Sequence, residues 1–433
     1  MARIKLAYIG GGSTRAPGTM ASFIDQGENF DGSEVVLIDL DRERLAVVEA
    51  LAQRMVRAKG LNIGIESTID RRAGLVDCDA VLTSFRPGGF EARHIDESVP
   101  LKYGVIGQET QGPGGFFMAL RSIHAMNDII KDMEEVCPQA LLFNYTNPVN
   151  IVSEAITNIT DIPIVSLCEG PIVSSEELAD IIDLDPRKVE TVSIGLNHAS
   201  WSVRHLYDGE DMIPLLREAY ERKKAEGTPD SHELRHLELA ATMGSIPSTY
   251  FQYYYYKDYM LEELLAKPTT RAQDIMAEVS GYWNHYRELL ESDAVVLDPE
   301  RSRRGIQELE LAVDLMDAVF NDRDEVWPVN VPNMGSIADF PNDLVVETIG
   351  YVDGNGVAPI TQGHLPPQVA GLVKMLAEFQ VLTAQAALSG TRLDAIRALA
   401  SNPLVLSTRK AEVIYDEMSA LLKDYLPERL LKG

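Results

Sequence analysis

The chain opens on an apolar run, IKLAYI, that stops at Gly10, Gly11, Gly12 and Ser13 and resumes as TRAPGTM. This stretch constrains the fold more than any other. Consecutive glycines at the end of a strand let the backbone turn sharply and approach another group closely. Pro17 suits the first turn of a following helix. A strand, a glycine turn and a helix N-terminus together make a cradle for a pyrophosphate, because the helix N–H groups point into the turn. A second apolar run, EVVLIDL, ends in Asp39, where an acid can accept hydrogen bonds from an adenosine ribose. Such an acid favours NAD over NADP, since it repels a 2′-phosphate. The spacing departs from G-x-G-x-x-G, with Arg15 in the sixth position.

The rhythm continues through the first half. Short apolar runs at 4–10, 34–40, 65–69, 79–85, 139–145 and 162–168 predict strands, with helical patterns between them. In FFMALRSIHAMNDIIKDMEEV, residues Phe116, Leu120, Ile123, Ile130 and Met133 recur at helical spacing and share one face. Strands alternating with helices predict an α/β fold: a Rossmann-like, mostly parallel sheet. After about residue 200 the strand rhythm fades. Helical patterns dominate at 211–225, 232–243, 270–292, 306–320, 366–389 and 408–424, with β-like runs at 326–333 and 344–352. The expectation is a dinucleotide-binding domain over 1–200. A mainly helical, mixed α/β domain over 201–433 then covers one end of the sheet, carrying substrate, metal-site and oligomerisation functions.

Charge limits the partners. With 39 basic and 66 acidic residues the net charge is −27, which disfavours nucleic acid and anionic membranes. Any anionic substrate then needs a local cluster of Arg or Lys. Three scattered cysteines do not make a disulfide framework, so a reducing cytoplasm is expected. No signal segment or membrane-spanning run is read in the sequence.

Ligands of open α/β sheets bind beyond the carboxyl ends of the strands. The segments there offer Arg93 in RPGGFEARHIDE, Glu109 in GQETQGPGGF, Asn147 in FNYTNPVN, Cys168 and Glu169 in SLCEGP, and His198 in GLNHASW. A Cys at one strand end and a nearby His can share a metal and leave coordination positions open. From spacing alone, a lone Cys and a lone His are more often packing residues.

Taken in order, these segments resemble glycoside hydrolase family 4, the NAD- and metal-dependent glycosidases, and most closely its 6-phospho-β-glucosidase branch. The likeness runs from GGGSTRAPG through EARHIDESVPLKYGVIGQETQGPGGF, TNPVNIVSEA, LCEGP, GLNHASW, PSTYFQYYYY and TTRAQDIMAE to VNVPNMGSIADFPNDLVVE. That family stands outside the usual two-carboxylate glycosidase scheme. The resemblance implies that Gly10, Gly11, Gly12, Ser13 and Asp39 hold NAD, and that Cys168 and His198 bind a divalent metal, typically Mn²⁺. It implies that Arg93, Asn147 and Arg271 contact the substrate. Tyr250 becomes the base, with Glu109 tuning it; the neighbouring Tyr253 to Tyr256 leave the choice of tyrosine open. The implied reaction oxidises the sugar at C3, removes the C2 proton, eliminates the aglycone, adds water and returns the hydride. A homodimer or homotetramer is implied as well.

Two segments depart from the family pattern. Glu169 follows Cys168 where relatives carry Asn, Asp or His, and it can serve as general acid, as a metal ligand or as an altered structural contact. The stretch RRGIQELE at 303–310 replaces a small, Gly-rich and aromatic one. These changes leave open the anomer and whether a 6-phosphate is obligatory; Arg93, Arg271, Arg303 and Arg304 are the candidate phosphate ligands. Three rivals remain. A plain NAD-dependent sugar dehydrogenase accumulates NADH, and a sugar-phosphate or nucleotide sensor needs an output module. A zinc peptidase would use HELRH at 232–236, where His232 and His236 share a helix face and Glu233 acts as base.

Overall fold

Each strand expected in the first half forms, trimmed at its ends except for the third, which is shifted one residue earlier. In the computed structural model, which describes residues 1–292, 295–303 and 309–432, these are β1 (Lys5–Ile9), β2 (Glu34–Ile38), β3 (Gly64–Thr68), β4 (Ala80–Thr83), β5 (Leu141–Asn144) and β6 (Ile164–Ser166). They pair in parallel in the order β3-β2-β1-β4-β5-β6. That order places a topological switch between β1 and β4, where dinucleotides bind in such sheets. All four residues of β4 are buried, as expected of a strand covered on both faces.

The helix Gly112–Val136 buries Phe116, Leu120, Ile123, Ile130 and Met133 against this sheet. Each fully buried side chain of that kind contributes about 1.5–3 kcal/mol, so this face fixes the helix and with it the loop that precedes it. The helices Ile213–Ala225, His232–Met243, Arg271–Glu291, Glu310–Phe320, Ala370–Ser389 and Thr408–Leu421 occupy the patterns expected in the second half.

Two features differ from the sequence expectation. First, strands do not fade at 200. A long antiparallel hairpin, β7 (Val189–Leu196) and β8 (Ala199–Tyr207), crosses that point, followed by β9 (Glu210–Asp211). Its residues alternate weakly, with polar side chains such as Ser193, Ser200 and Ser202 buried, and so lack an apolar signature. Second, the later strands extend the same sheet instead of covering its end. Strands β10 (Glu325–Pro332), β11 (Val345–Asp353) and β12 (Gly356–Pro359) join it, continuing the order as β6-β10-β11-β7-β8-β9 with β12 on β11. The added strands pair antiparallel.

The core is shared across the chain. One apolar cluster joins the sheet and helix Gly112–Val136 to the helices Ala370–Ser389 and Thr408–Leu421; another joins β1, β2 and the helix Arg42–Lys59 to the helices Arg271–Glu291 and Glu310–Phe320. No helix among the described residues is long and apolar enough to cross a membrane.

Candidate active site

The glycine turn after β1 is crowded by the protein itself. Gly10 has φ of +104°, and a Cβ there would lie 2.2 Å from the Ser84 carbonyl oxygen. A Cβ on Gly11 would lie 2.8 Å from Leu37 Cβ, and one on Gly12 2.9 Å from Asp39 Cγ. The glycines therefore let β1 turn between its two neighbours while the following helix, Ala16–Asp25, starts close to the sheet. That helix has no side-chain N-cap and no acid in its first turn, which leaves its positive end to an anion. The Gly12 N–H donates to Asp39 Oδ2 at 2.9 Å, tying the end of β2 to the turn.

Four buried polar atoms at the ends of β1 and β5 have no hydrogen-bond partner among the described residues: Ser13 Oγ, Tyr145 Oη, Thr146 Oγ1 and Asn147 Oδ1. Buried polar groups are ordinarily satisfied, so such a group of orphans marks a place where a polar ligand completes the structure. Asn147 is held in place by its main chain, whose carbonyl accepts from Ser122 Oγ at 2.9 Å.

The next strand end brings sulfur and imidazole together. Cys168 leaves β6, His198 sits at the tip of the β7–β8 hairpin, and Cys168 Sγ lies 3.6 Å from His198 Nε2. His198 has φ of +62°, a left-handed conformation unusual for a residue with a side chain. Its other ring nitrogen, Nδ1, is 3.0 Å from Thr110 Oγ1. With Nδ1–H donated to that hydroxyl, Nε2 keeps its lone pair directed at the sulfur side, which is the arrangement of a ligand histidine. Burial, and next to it the negative charge of Glu347, push the Cys168 thiol up to about 11. A thiol and a neutral imidazole at this separation are a donor set for a borderline or soft divalent ion.

Tyr250 lies on the His198 ring, with centroids 3.8 Å apart and planes 13° from parallel. It comes from the short turn Thr249–Phe251. Arg93 is near enough for its guanidinium to feel the tyrosine's charge. Arg93 is 7% exposed. Its Nε donates to Glu97 Oε1 at 2.6 Å and its Nη1 meets Glu109 Oε2 at 3.0 Å; Arg86 Nη2 meets the same Glu109 oxygen at 2.6 Å. Burial works to lower the Arg93 pKa, but the carboxylates of Glu109 and Glu97 outweigh it. Tyr253, in contrast, is pushed up to about 12, first by burial and then by Glu97 and Glu109. Tyr254 is also raised, by burial, and its hydroxyl donates to Gln111 Oε1 at 2.7 Å.

The remaining candidates lie at the rim. Glu169 stands at the head of the helix Gly170–Ile181, half-buried, where its charge acts on Cys168 and Tyr145. Arg271 is exposed at the first position of its helix, and the next N–H, of Ala272, donates to Glu97 Oε2 at 2.8 Å. Glu97 thus ties that helix start to Arg93. The Arg303 guanidinium lies 4.8 Å from the Phe90 ring centroid. Burial and Glu278 raise the Tyr282 pKa, while Arg303 and Arg271 both pull it down, so both cations act on one phenol. Arg304, and most of the 303–310 stretch, lies outside the described residues.

The structure therefore brings Cys168, His198, Tyr250, Arg93 and Glu109 into one cluster, with Gly10 to Ser13, Asp39 and Asn147 at the ends of the neighbouring strands β1, β2 and β5. Thr110 and Arg86 belong to the cluster and were missed as single residues. Both stand inside segments already marked as strand-end loops, and Thr110 is the immediate neighbour of Glu109. The HELRH helix takes no part. His236 is buried with Nε2 3.1 Å from the Pro247 carbonyl, and burial depresses its pKa to about 4. Among the described residues, three Cys, His, Asp or Glu ligand atoms come close enough to share an ion at Asp322, Asp324 and Asp353, not at this helix.

Comparison with known proteins identifies the family. The family 4 glycosyl hydrolase model matches residues 5–184, and the model of that family's C-terminal domain matches 193–405. A probable 6-phospho-β-glucosidase of Bacillus subtilis (strain 168) is 37% identical, over 98% of this chain and 98% of its own. A 6-phospho-α-glucosidase from gut microorganisms, solved in complex with NAD and Mn²⁺, superposes with a TM-score of 0.87 at 26% identity, covering 98% of this chain and 99% of that one. The 6-phospho-β-glucosidase of Thermotoga maritima, solved with NAD and glucose-6-phosphate, gives 0.85 at 27% identity, with the same coverage.

Proposed function

The chain belongs to glycoside hydrolase family 4, and on that premise we propose that it cleaves 6-phosphorylated glucosides with NAD and a divalent metal, Mn²⁺, as cofactors. One observation carries this reading: Cys168, His198 and Tyr250 meet beyond the carboxyl ends of the strands, and buried polar atoms at the neighbouring strand ends lack partners among the described residues. Both cofactors fit what is there. Ser13 Oγ and the uncapped helix Ala16–Asp25 suit a pyrophosphate, Asp39 suits a ribose, and the sulfur–imidazole pair offers an ion two ligands while leaving positions open for the oxygen ligands that Mn²⁺ favours. When bound, NAD and the metal supply hydride acceptance at C3 of the sugar and polarisation of the carbonyl made there, which is what acidifies C2–H.

The protein's own residues do the rest. Tyr250 takes the C2 proton. An ordinary tyrosine hydroxyl titrates near 10, so its anion needs a neighbouring cation, and Arg93 is that neighbour. Glu109, held by Arg86 and Arg93, keeps Arg93 aimed and moderates its charge. Asn147 orients sugar hydroxyls from the end of β5. Arg271 and Arg303, which both act on Tyr282, receive the 6-phosphate, since phosphate recognition needs convergent cations. Glu169 is placed to give a proton to the leaving oxygen as the C1–O bond breaks.

The 37% identity to a β-glucosidase relative favours the β-anomer. The carboxylate of Glu169 beside Cys168 favours an α-glucosidase as the second reading. Residues 1–200 carry the dinucleotide and 201–433 supply Tyr250, Arg271 and the contacts of a homodimer or homotetramer. A reducing cytoplasm suits three free thiols. The deciding experiment is a panel of α- and β-nitrophenyl glucosides, with and without 6-phosphate, assayed with NAD⁺ and Mn²⁺. Nitrophenol release without net NADH supports the reading, and accumulating NADH with no release overturns it in favour of a dehydrogenase.

A further inference from the structure

A row of polar residues runs across the sheet just below the site. In register from strand to strand, Thr83 of β4 pairs with Asn144 of β5, Asn144 with Ser166 of β6, and Ser166 with Asn330 of β10. Asn330 pairs with Glu347 of β11, Glu347 with Gly195 of β7, and Gly195 with Ser200 of β8. Residues paired this way point to one face of a sheet. All are buried in a region where apolar side chains would otherwise stand. They are linked: Thr83 Oγ1 donates to Asn144 Oδ1 at 3.0 Å, and Asn144 Nδ2 to Ser166 Oγ at 3.1 Å. Ser200 and Asn330 hydrogen-bond to Glu347.

Glu347 is the one ionisable member of this row and is 1% exposed. Its Oε2 accepts from Asn197 Nδ2 at 3.0 Å. The same Asn197 side chain acts as a donor toward the Cys168 thiol and works to lower its pKa. A primary amide has two N–H bonds, so one amide nitrogen can face the carboxylate and the sulfur together. Among the described residues the groups bonded to Glu347 are neutral amide and hydroxyl donors, with no Lys or Arg.

We propose that Glu347 is a positioning residue for the metal centre, holding Asn197 so that its amide fixes Cys168 Sγ in the orientation in which sulfur and His198 Nε2 meet one ion. This rests on the reading of Cys168 and His198 as the metal pair. Glu347 does not touch the ion or the sugar. It acts from the floor of the site, through one side chain, on the ligand whose alignment sets affinity.

The test titrates Mn²⁺ and Co²⁺ into the full-length protein with NAD⁺ bound, by calorimetry, and for Co²⁺ by near-ultraviolet absorption of the sulfur-to-cobalt charge transfer. Glu347→Ala weakens metal binding about 10- to 100-fold, the range for lost outer partners of a ligand, and shifts the charge-transfer band. Glu347→Gln stays within about threefold of the wild type, because its side-chain carbonyl still accepts from Asn197 and its amide can donate to Asn330 Oδ1, which has no partner among the described residues. If Glu347→Ala does not fold, Asn197→Ala carries the same expectation. Wild-type affinity and an unshifted band in the alanine variant overturn the proposal, as does a Gln variant as weak as Ala. An equal loss of NAD⁺ affinity in the alanine variant also overturns it, since the effect is then not on the metal ligand. Cys168→Ser separates the two levels: if it binds metal like the wild type, the metal pair itself is misread, whatever Glu347 does.

Discussion

The helix His232–Met243 and the hairpin tip between β7 and β8 both present histidine, and they make opposite use of it. The helix carries a metalloprotease spacing, yet His236 is sealed, with Nε2 on the Pro247 carbonyl. Gln252 hydrogen-bonds the side chain and the carbonyl of His232. The hairpin tip carries no such spacing, yet His198 is held in a left-handed conformation with one nitrogen on Thr110 and the other facing Cys168. The difference is one of place. A histidine at a strand's end in an open sheet faces the cleft where ligands collect. A histidine on the buried side of an amphipathic helix faces a core, and there a neutral ring bonded to a carbonyl is a packing residue.

Substitutions at the two places should therefore diverge, most of all at the hairpin. Cys168→Ser and His198→Ala are expected to lower metal affinity and turnover by about 10³-fold or more, above the 10- to 100-fold typical of outer partners; calorimetry and nitrophenol release measure both. Wild-type turnover in either variant would erase the contrast. Tyr250→Phe keeps the ring on His198 and removes the base, so turnover falls about 10²- to 10⁴-fold. Exchange of a C2 deuterium with solvent should stop in that variant while metal affinity stays within about threefold.

A smaller effect is set by pH. Burial, then Glu347, hold the Cys168 thiol near 11, and a metal displaces its proton. Apparent Mn²⁺ affinity should thus rise up to about tenfold per pH unit through the neutral range; a flat profile would mean that the sulfur is not a ligand. The helix responds to pH differently. With the folded pKa of His236 depressed to about 4, the unfolded chain takes up a proton near pH 6.5 that the folded chain refuses. Stability is then complete above that pH and is lost as pH falls toward 4, by at most about 3 kcal/mol. Chemical denaturation of His236→Leu should show a weaker acid dependence. Smallest of all, His232→Ala should leave turnover within about twofold and metal content unchanged.

How much of this was legible depended on whether a residue's role is written in its neighbours along the chain. The parallel half was readable because β1 to β6 are apolar runs separated by helices, and Gly10 to Ser13 announce the turn. The β7–β8 hairpin was not, because it buries serines where a strand ordinarily shows valine or isoleucine. Cys168 and His198 stand 30 residues apart at the ends of different strands, and the resemblance, not spacing, gave them as the metal pair. Asn197 meets Glu347 through register that emerges when β11 inserts between β10 and β7, and Thr110 reaches His198 from the loop before the helix Gly112–Val136. The segment after Cys168 was noticed for its departure from relatives, and Glu169 is half-buried at the head of a helix, where a longer acid fits.

The most direct test strips the dinucleotide from the purified enzyme, confirms its removal by absorbance, and follows release of nitrophenol from a nitrophenyl 6-phosphoglucoside in saturating Mn²⁺. The account predicts that release stops and returns in proportion to added NAD⁺. Undiminished release from the stripped protein would contradict it.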